Sequence, residues 1–131
     1  MKNTPIIYFV EDNATESMLM RIALQRLPKI TVEFFSEGAS LIERFEEQPA
    51  DIVVSDLVMP NMSGQEVLKK IKRIKKSTLM IVLSSQEHMD EVANLQALGV
   101  FNYIVKGDHC LHYLKKTLEV ACFLLEKEFK F

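Results

Sequence analysis

The chain has 131 residues, a length that suits one domain with one substantial hydrophobic core. Hydrophobic residues make up 48% and charged residues 26%, the balance of an ordinary globular protein, and the apolar runs are too short to cross a bilayer. A formal net charge of −2 provides no overall attraction to nucleic acid or to an anionic membrane. The composition therefore predicts a cytoplasmic domain with no nucleic-acid or membrane partner.

Five short apolar stretches are typical of β-strands. The first and fourth are apolar throughout, as in strands buried on both faces of a sheet, whereas the second alternates more, as expected nearer a sheet edge. The predicted strands are residues 6–10, 31–35, 52–55, 79–83 and 101–105.

Each predicted strand is followed by a segment with apolar residues at helical spacing. Asn13 and Ser63 are predicted N-caps, and Glu16 and Glu66 occupy the positions that complete a capping box. Gly99 is the predicted residue that ends the fourth helix. We expect helices at about 14–27, 36–48, 87–98 and 109–127, and a further helix after Gly64.

These helices are each predicted to turn one apolar face toward the sheet. The residues expected on those faces are, in chain order, Leu19, Ile22, Ala23 and Leu27; Leu41, Ile42 and Phe45; Val67, Leu68, Ile71 and Ile74; Met89, Val92 and Ala93; and Leu111, Leu114, Leu118, Ala121, Cys122 and Leu125.

Strict alternation of strand and helix predicts an α/β fold made of parallel βαβ units with right-handed crossovers. We expect a three-layer (βα)5 domain with a parallel five-stranded sheet in the flavodoxin-like order 2-1-3-4-5. No linker or low-complexity segment interrupts the pattern. The sequence thus predicts a single domain over 1–131, with its core at about 5–127 and no output domain.

Four of the strands end in polar residues that could react or bind a ligand. Glu11 and Asp12 follow the first strand, Asp56 ends the third, Ser84 the fourth and Lys106 the fifth. The carboxyl ends of parallel strands lie at one edge of the sheet, and strands 1, 3, 4 and 5 are predicted neighbours about 4.8 Å apart. We therefore expect these side chains to converge on one cleft at the topological switch point.

Three crowded carboxylates raise one another's pKa unless a cation joins them, and an oxygen-only ligand set favours a hard ion such as Mg²⁺. Lys106 adds a mobile positive charge and Ser84 a hydroxyl donor. A metal ion, an ammonium and a hydroxyl around one carboxylate suit a phosphoryl group in transfer. The predicted nucleophile is Asp56, which would form an aspartyl phosphate.

These motifs together resemble the receiver domain of response regulators in two-component signalling, and the likeness covers essentially the whole chain. The resemblance implies that Asp56 is the phosphoacceptor and that Asp12 binds Mg²⁺ or Mn²⁺ directly, with Glu11 acting through water. It also implies that Asp56 and the backbone carbonyl of Val58 are metal ligands.

The resemblance further implies a switch hydroxyl at Ser84, an aromatic switch residue at Tyr103 and a phosphate-binding lysine at Lys106. Met59, Pro60 and Gly64 fit the loop that follows the phosphoacceptor in the family. Tyr103 is equally compatible with an ordinary half-buried aromatic residue, because both roles need the same strand position.

Some positions differ from the common pattern of the family, and others are expected to tune the lifetime of the phosphoryl group. Gly107 follows the lysine where the family commonly has a cis proline, so we expect a more mobile loop there. Ser84 stands where the family more often has threonine. Ser85 remains the alternative to Ser84 as the switch hydroxyl. Val58 and Gln86 flank the predicted phosphoryl site, and apolar Val58 predicts slow hydrolysis because it cannot orient a water.

The implied function is a signalling switch rather than an enzyme. A histidine kinase or a histidine phosphotransfer protein would donate the phosphoryl group, and the surface of the fourth helix, fifth strand and fifth helix would change its affinity for a downstream protein. The chain would be a monomer or a weak, phosphorylation-dependent dimer.

Three alternatives remain open. The chain could be a relay intermediate rather than a terminal effector, or an adaptor of the same fold that acts without phosphorylation. A flavodoxin-like cofactor-binding or hydrolytic domain is disfavoured, because Glu11 and Asp12, rather than a glycine-rich loop, follow the first strand and would repel a phosphate.

Overall fold

The computed structural model describes residues 4–27, 29–85 and 89–127, with the backbone alone at Met89. Strands and helices alternate without exception in these residues. They are β1 (Ile6–Val10), α1 (Ala14–Leu24), β2 (Thr31–Phe35), α2 (Gly38–Glu47), β3 (Ile52–Asp56), α3 (Gly64–Ile74), β4 (Leu79–Ser84), α4 (Met89–Ala97), β5 (Asn102–Val105) and α5 (Cys110–Glu126). No helix within the described ranges is long and apolar enough to span a membrane.

The five strands form one sheet in the order β2-β1-β3-β4-β5, and every neighbouring pair is parallel. The predicted topology is therefore confirmed. The register pairs Asp56 with Leu83 and Ser84 with Val105, so the carboxyl ends of β3, β4 and β5 lie side by side.

Side chains alternate between two cores, one on each face of the sheet. In β1, Tyr8 and Val10 point into the core covered by α2, α3 and α4, whereas Ile7 and Phe9 point into the core covered by α1 and α5. The central strands are buried on both faces, because helices cover both sides of a parallel sheet. Because helices cover both faces of the central strands, a site on this sheet is expected at the ends of the strands.

Two helix ends match the sequence prediction closely. Ser63 and Glu66 form a complete capping box at the start of α3, with both hydrogen bonds present at 3.2 Å. Gly99 follows α4 with a φ of +92°, a left-handed conformation that glycine adopts without steric cost.

The predicted inward face of α1 is wrong in part. Leu19 and Ile22 are 61% and 50% exposed, whereas Leu24 is 1% exposed and packs in the core with Met20 and Leu27. The helix carries apolar side chains on more than one face, so two different faces could pack against the sheet. The stripe at positions 20, 24 and 27 is the one that α1 turns inward, and spacing alone could not choose between them.

The predicted inward faces of α3 and α4 need smaller corrections. Ile74 is partly exposed because it is the last residue of α3, where the chain leaves the helix. In α4, Leu95 is the fully buried residue and Ala93, two positions before it, faces solvent. The predicted start of α4 at 87–88 and the side chain of Met89 lie outside the described residues. The three apolar residues predicted to face inward from α2 are all buried.

The orientation of α1 can be tested with two matched leucine truncations. We expect Leu24→Ala to lower the free energy of unfolding by about 2–5 kcal/mol, because it removes apolar contacts from a side chain that is 1% exposed. Leu19→Ala, on the same helix, should change it by less than about 0.5 kcal/mol because that side chain is mostly in water. Urea denaturation of both variants measures the difference, and equal losses would contradict this orientation.

Candidate functional site

The candidate site lies at the carboxyl edge of the sheet and is fixed by backbone hydrogen bonds that extend the strand pairing. The Glu11 N–H donates to the carbonyl of Phe35 at 3.0 Å, and the Lys106 N–H donates to the carbonyl of Ser84 at 2.7 Å. The chain therefore stays anchored to a neighbouring strand just where these two side chains leave it.

Three carboxylates meet at this edge. One oxygen from each of Glu11, Asp12 and Asp56 lies within 4.8 Å of the other two. Glu11 and Asp56 are buried, whereas Asp12 is exposed. Burial and, after it, the hydrogen bond with Asp56 raise the pKa of Glu11 to about 8.

This crowding fits a hard divalent cation. The donors are oxygens only, and three carboxylates lie close enough together to share one ion. Glu11, Asp12 and Asp56 are the residues that would hold Mg²⁺ here.

Lys106 is the positive charge at the centre of the cluster. Its ammonium lies 2.6 Å from Asp56 Oδ1, 2.9 Å from Glu16 Oε2 and 3.0 Å from Glu11 Oε1. Burial alone would lower the pKa of Lys106, but the hydrogen bonds to the three carboxylates outweigh it and raise that pKa. Lys106 therefore remains charged throughout the physiological range.

Glu16 is the member of this cluster that sequence reasoning did not assign to the site. Asn13 caps α1 as predicted, since its side chain accepts the Glu16 N–H at 3.0 Å. The second hydrogen bond of a capping box, from the Asn13 N–H to the Glu16 carboxylate, is not formed, because the Asn13 N–H donates to Glu11 Oε2 at 3.1 Å. The Glu16 carboxylate binds Lys106 instead, and this contact lowers the pKa of Glu16.

The loop after Asp56 is held tightly against the strand ends. The Leu57 N–H donates to the carbonyl of Leu83 at 2.7 Å, and the Gly64 N–H donates to the carbonyl of Leu57 at 2.8 Å. A Cβ atom at position 64 would clash with the carbonyl oxygen of Asp56 and lie 2.9 Å from the Cα of Leu57. Only glycine allows α3 to begin this close to the backbone of Asp56.

The same loop contains a residue in an unfavourable backbone conformation. Asn61 has a φ of +69°, and the Met62 N–H donates to the carbonyl of Pro60 across it at 2.7 Å. Asparagine tolerates this region better than most residues, which explains the turn residues in this loop.

The structure also locates the other predicted site residues. Ser84 is buried at the end of β4, whereas Ser85 is exposed. Tyr103 is half-buried and packs against the core on the α2, α3 and α4 side of the sheet. The side chain of Val58 is largely exposed. Gln86 lies outside the described residues.

Gly107 lies in open space after Lys106. A Cβ atom built there meets no atom within 4 Å, and the peptide bonds of the described chain are all trans. The mobility predicted for this loop is not tested by these observations.

The fold and the site define a flavodoxin-like α/β domain with an acidic cluster and a lysine at its switch point. A family model described as the response regulator receiver domain matches residues 7–115. The chemotaxis protein CheY of Bacillus subtilis (strain 168) is 30% identical over 115 residues, which cover 86% of this chain and 96% of that protein.

Other similar proteins are longer or more distant. The DNA-binding transcriptional regulator NtrC of Escherichia coli (strain K12) is 27% identical over 101 residues, which are 77% of this chain but 21% of NtrC. A response regulator receiver domain protein from Clostridium thermocellum has a similar structure, with a TM-score of 0.85, 22% identity and coverage of 95% of this chain and 99% of that one. At that identity the structural likeness shows the fold alone.

The chain belongs to the response regulator receiver domain family. Receiver domains are signalling modules, and membership gives this chain a role in two-component signalling.

The close approach of α3 to Asp56 predicts the effect of a single methyl group. We expect Gly64→Ala to lower the free energy of unfolding by about 1–3 kcal/mol, because its Cβ overlaps backbone atoms that cannot move independently. Gly107→Ala is the matched control and should raise it by about 0.4–1 kcal/mol, because the site is open and its φ is not left-handed. Thermal denaturation of both variants tests this, and a Gly64→Ala protein as stable as wild type would contradict it.

Proposed function

We propose that the chain is a switch in which Asp56 accepts a phosphoryl group from a phosphohistidine on a kinase or a phosphotransfer protein. One observation carries the proposal: the Lys106 ammonium lies 2.6 Å from Asp56 Oδ1 inside a cluster of carboxylates that itself fits a divalent cation. The site therefore combines a nucleophilic oxygen with the positive charge that phosphoryl transfer needs.

In the proposed step an oxygen of Asp56 attacks the phosphorus, and the bond from phosphorus to the histidine nitrogen breaks. The electron pair of that bond returns to the imidazole, and the product is an acyl phosphate on Asp56. Lys106 stabilises the charge on the phosphoryl oxygens, because its ammonium already lies at the nucleophile. Glu11 and Asp12, with the backbone carbonyl of Val58, complete the proposed metal ligands.

Bound Mg²⁺ would neutralise the negative charge of the carboxylates and of the incoming phosphoryl group. Because the described chain places the acidic side chains together in advance, little rearrangement is needed to bind the ion.

The phosphoryl group would then change the surface formed by α4, β5 and α5 by moving residues at the ends of β4 and β5. Ser84 is buried at the end of β4, and Lys106 follows β5 directly, so both can turn toward a new anion on Asp56. Tyr103, on β5, would repack with Ser84 and alter the surface of α4, β5 and α5. The output is a changed affinity for another protein in the cytoplasm, so the chain acts as a switch and not as an enzyme.

Intact-mass spectrometry after incubation with acetyl phosphate tests this function. We expect one added phosphoryl group in the presence of Mg²⁺ and none with a chelator or in Asp56→Asn. Asp51→Asn is the matched control, because Asp51 precedes β3 at the opposite end of the same strand. It should still take up the group.

A folded wild-type protein that gains no phosphoryl group from acetyl phosphate or from a phosphorylated histidine phosphotransfer domain would contradict the proposal. That outcome would favour an adaptor that acts through the same fold without phosphorylation. Uptake followed by return of the group to a phosphotransfer domain would identify a relay intermediate.

The lifetime of the acyl phosphate should depend on Val58. Its exposed apolar side chain offers no hydrogen bond to an attacking water, so Val58→Asn should accelerate hydrolysis by about 2- to 10-fold, the equivalent of one hydrogen bond. Val120→Asn on the exposed face of α5 is the control and should leave the rate unchanged. The rate is measured from the decay of the phosphorylated mass, and equal decay in Val58→Asn and wild type would count against this role.

A further inference from the structure

Glu16 and Glu66 occupy the same position in their helices but make different contacts. Each is the third residue of its helix, and each N–H is accepted by the side chain of the capping residue. The Glu66 carboxylate closes the capping box by accepting the N–H of Ser63 at 3.2 Å. The Glu16 carboxylate instead accepts from Lys106 at 2.9 Å, a residue 90 positions away.

The contact with Glu16 occupies the last hydrogen of the Lys106 ammonium. A lysine ammonium has three N–H donors, and three carboxylates lie within 3.0 Å of this one: those of Glu11, Glu16 and Asp56. A phosphoryl group that approaches Asp56, while Asp56 is still a carboxylate, needs a donor from Lys106. One of these three contacts must therefore break as the phosphoryl group enters the site.

The three carboxylates differ in how easily they can be released. The side chains of Glu11 and Asp56 are 2% and 9% exposed, whereas that of Glu16 is 45% exposed. Glu11 also accepts the N–H of Asn13 at 3.1 Å, so it is held from a second direction. A released Glu16 carboxylate would be hydrated at once, whereas a released buried carboxylate would remain without a partner.

We propose that Glu16 is a positioning residue that holds Lys106 before phosphorylation and gives up the ammonium to the phosphoryl group. The proposal rests on the function proposed above. Glu16 takes one of the three donors of the Lys106 ammonium, and it adds negative charge beside the site that would bind Mg²⁺. It thus favours binding of the metal ion and opposes the anionic phosphoryl donor.

The identity of residue 107 makes this contact more important. Gly107 is exposed and a Cβ there would meet nothing within 4 Å, so the chain after Lys106 is held by the hydrogen bond from the Cys110 N–H to the Gly107 carbonyl rather than by side-chain packing. The backbone of Lys106 is held by Ser84, but its long side chain is directed by ion pairs alone among the contacts described for it.

Glu16 is expected to favour Mg²⁺ binding and to oppose phosphorylation, and removing its charge should therefore lower the affinity for Mg²⁺ and raise the rate of phosphorylation. Glu16→Gln keeps the shape of the side chain and removes its charge. We expect the Kd for Mg²⁺ to rise by about 2- to 5-fold and the rate of phosphorylation by acetyl phosphate at saturating Mg²⁺ to rise by about 2- to 5-fold, as for loss of a half-exposed ion pair. A loss of structure would lower the rate instead.

Glu66→Gln is the matched control. It removes the same charge at the same position of a helix, but from a capping box without contact to Lys106. Isothermal titration with Mg²⁺ and the time course of phosphorylated mass are recorded for wild type and both variants, and the melting temperature verifies that each is folded. Glu66→Gln should match wild type in Mg²⁺ affinity and in rate.

Two results overturn the role of Glu16 in different ways. If wild type is phosphorylated on Asp56 and Glu16→Gln matches Glu66→Gln in both measurements, the role of Glu16 is wrong and the function stands. If wild type binds Mg²⁺ but takes no phosphoryl group, the proposed function fails, and the displacement of Glu16 fails with it.

Discussion

The ammonium of Lys106 is the interaction on which the site depends. It compensates the charges of Glu11, Glu16 and Asp56, two of which are buried and would be unfavourable if unpaired. These residues come from the end of β1, the first turn of α1 and the end of β3. One cation at the end of β5 thus joins four separate parts of the chain.

The lysine does not balance the cluster fully. The pKa of Glu11 is raised to about 8 even though Lys106 and Asn13 both donate to it, because burial and the neighbouring Asp56 carboxylate outweigh them. Such a site is prepared for additional positive charge. In the proposed function, the negative charge of the cluster would repel a phosphoryl donor, and a metal ion together with Lys106 would offset that charge.

The two sides of the site differ in how firmly they are held. On the Asp56 side, Gly64 allows α3 to lie against the strand end, and Leu57 is bonded both to β4 and to α3. On the Lys106 side, the next residue is an exposed glycine in open space. Asp56, the proposed nucleophile, is therefore fixed by the backbone, whereas Lys106 is directed by its anionic partners, an arrangement that would suit a switch.

The sequence by itself determined the type and order of the elements, the sheet topology and the strand ends that meet, because period-2 and helical patterns and parallel βαβ geometry are local or general rules. Only the tertiary structure decided the orientation of α1, where apolar residues on several faces compete and the fit of Leu24 against the sheet selects one. It also decided the partner of Glu16. A capping box was the local prediction, but the Asn13 N–H donates to Glu11, and the partly buried Lys106 ammonium, 90 residues away, binds the Glu16 carboxylate.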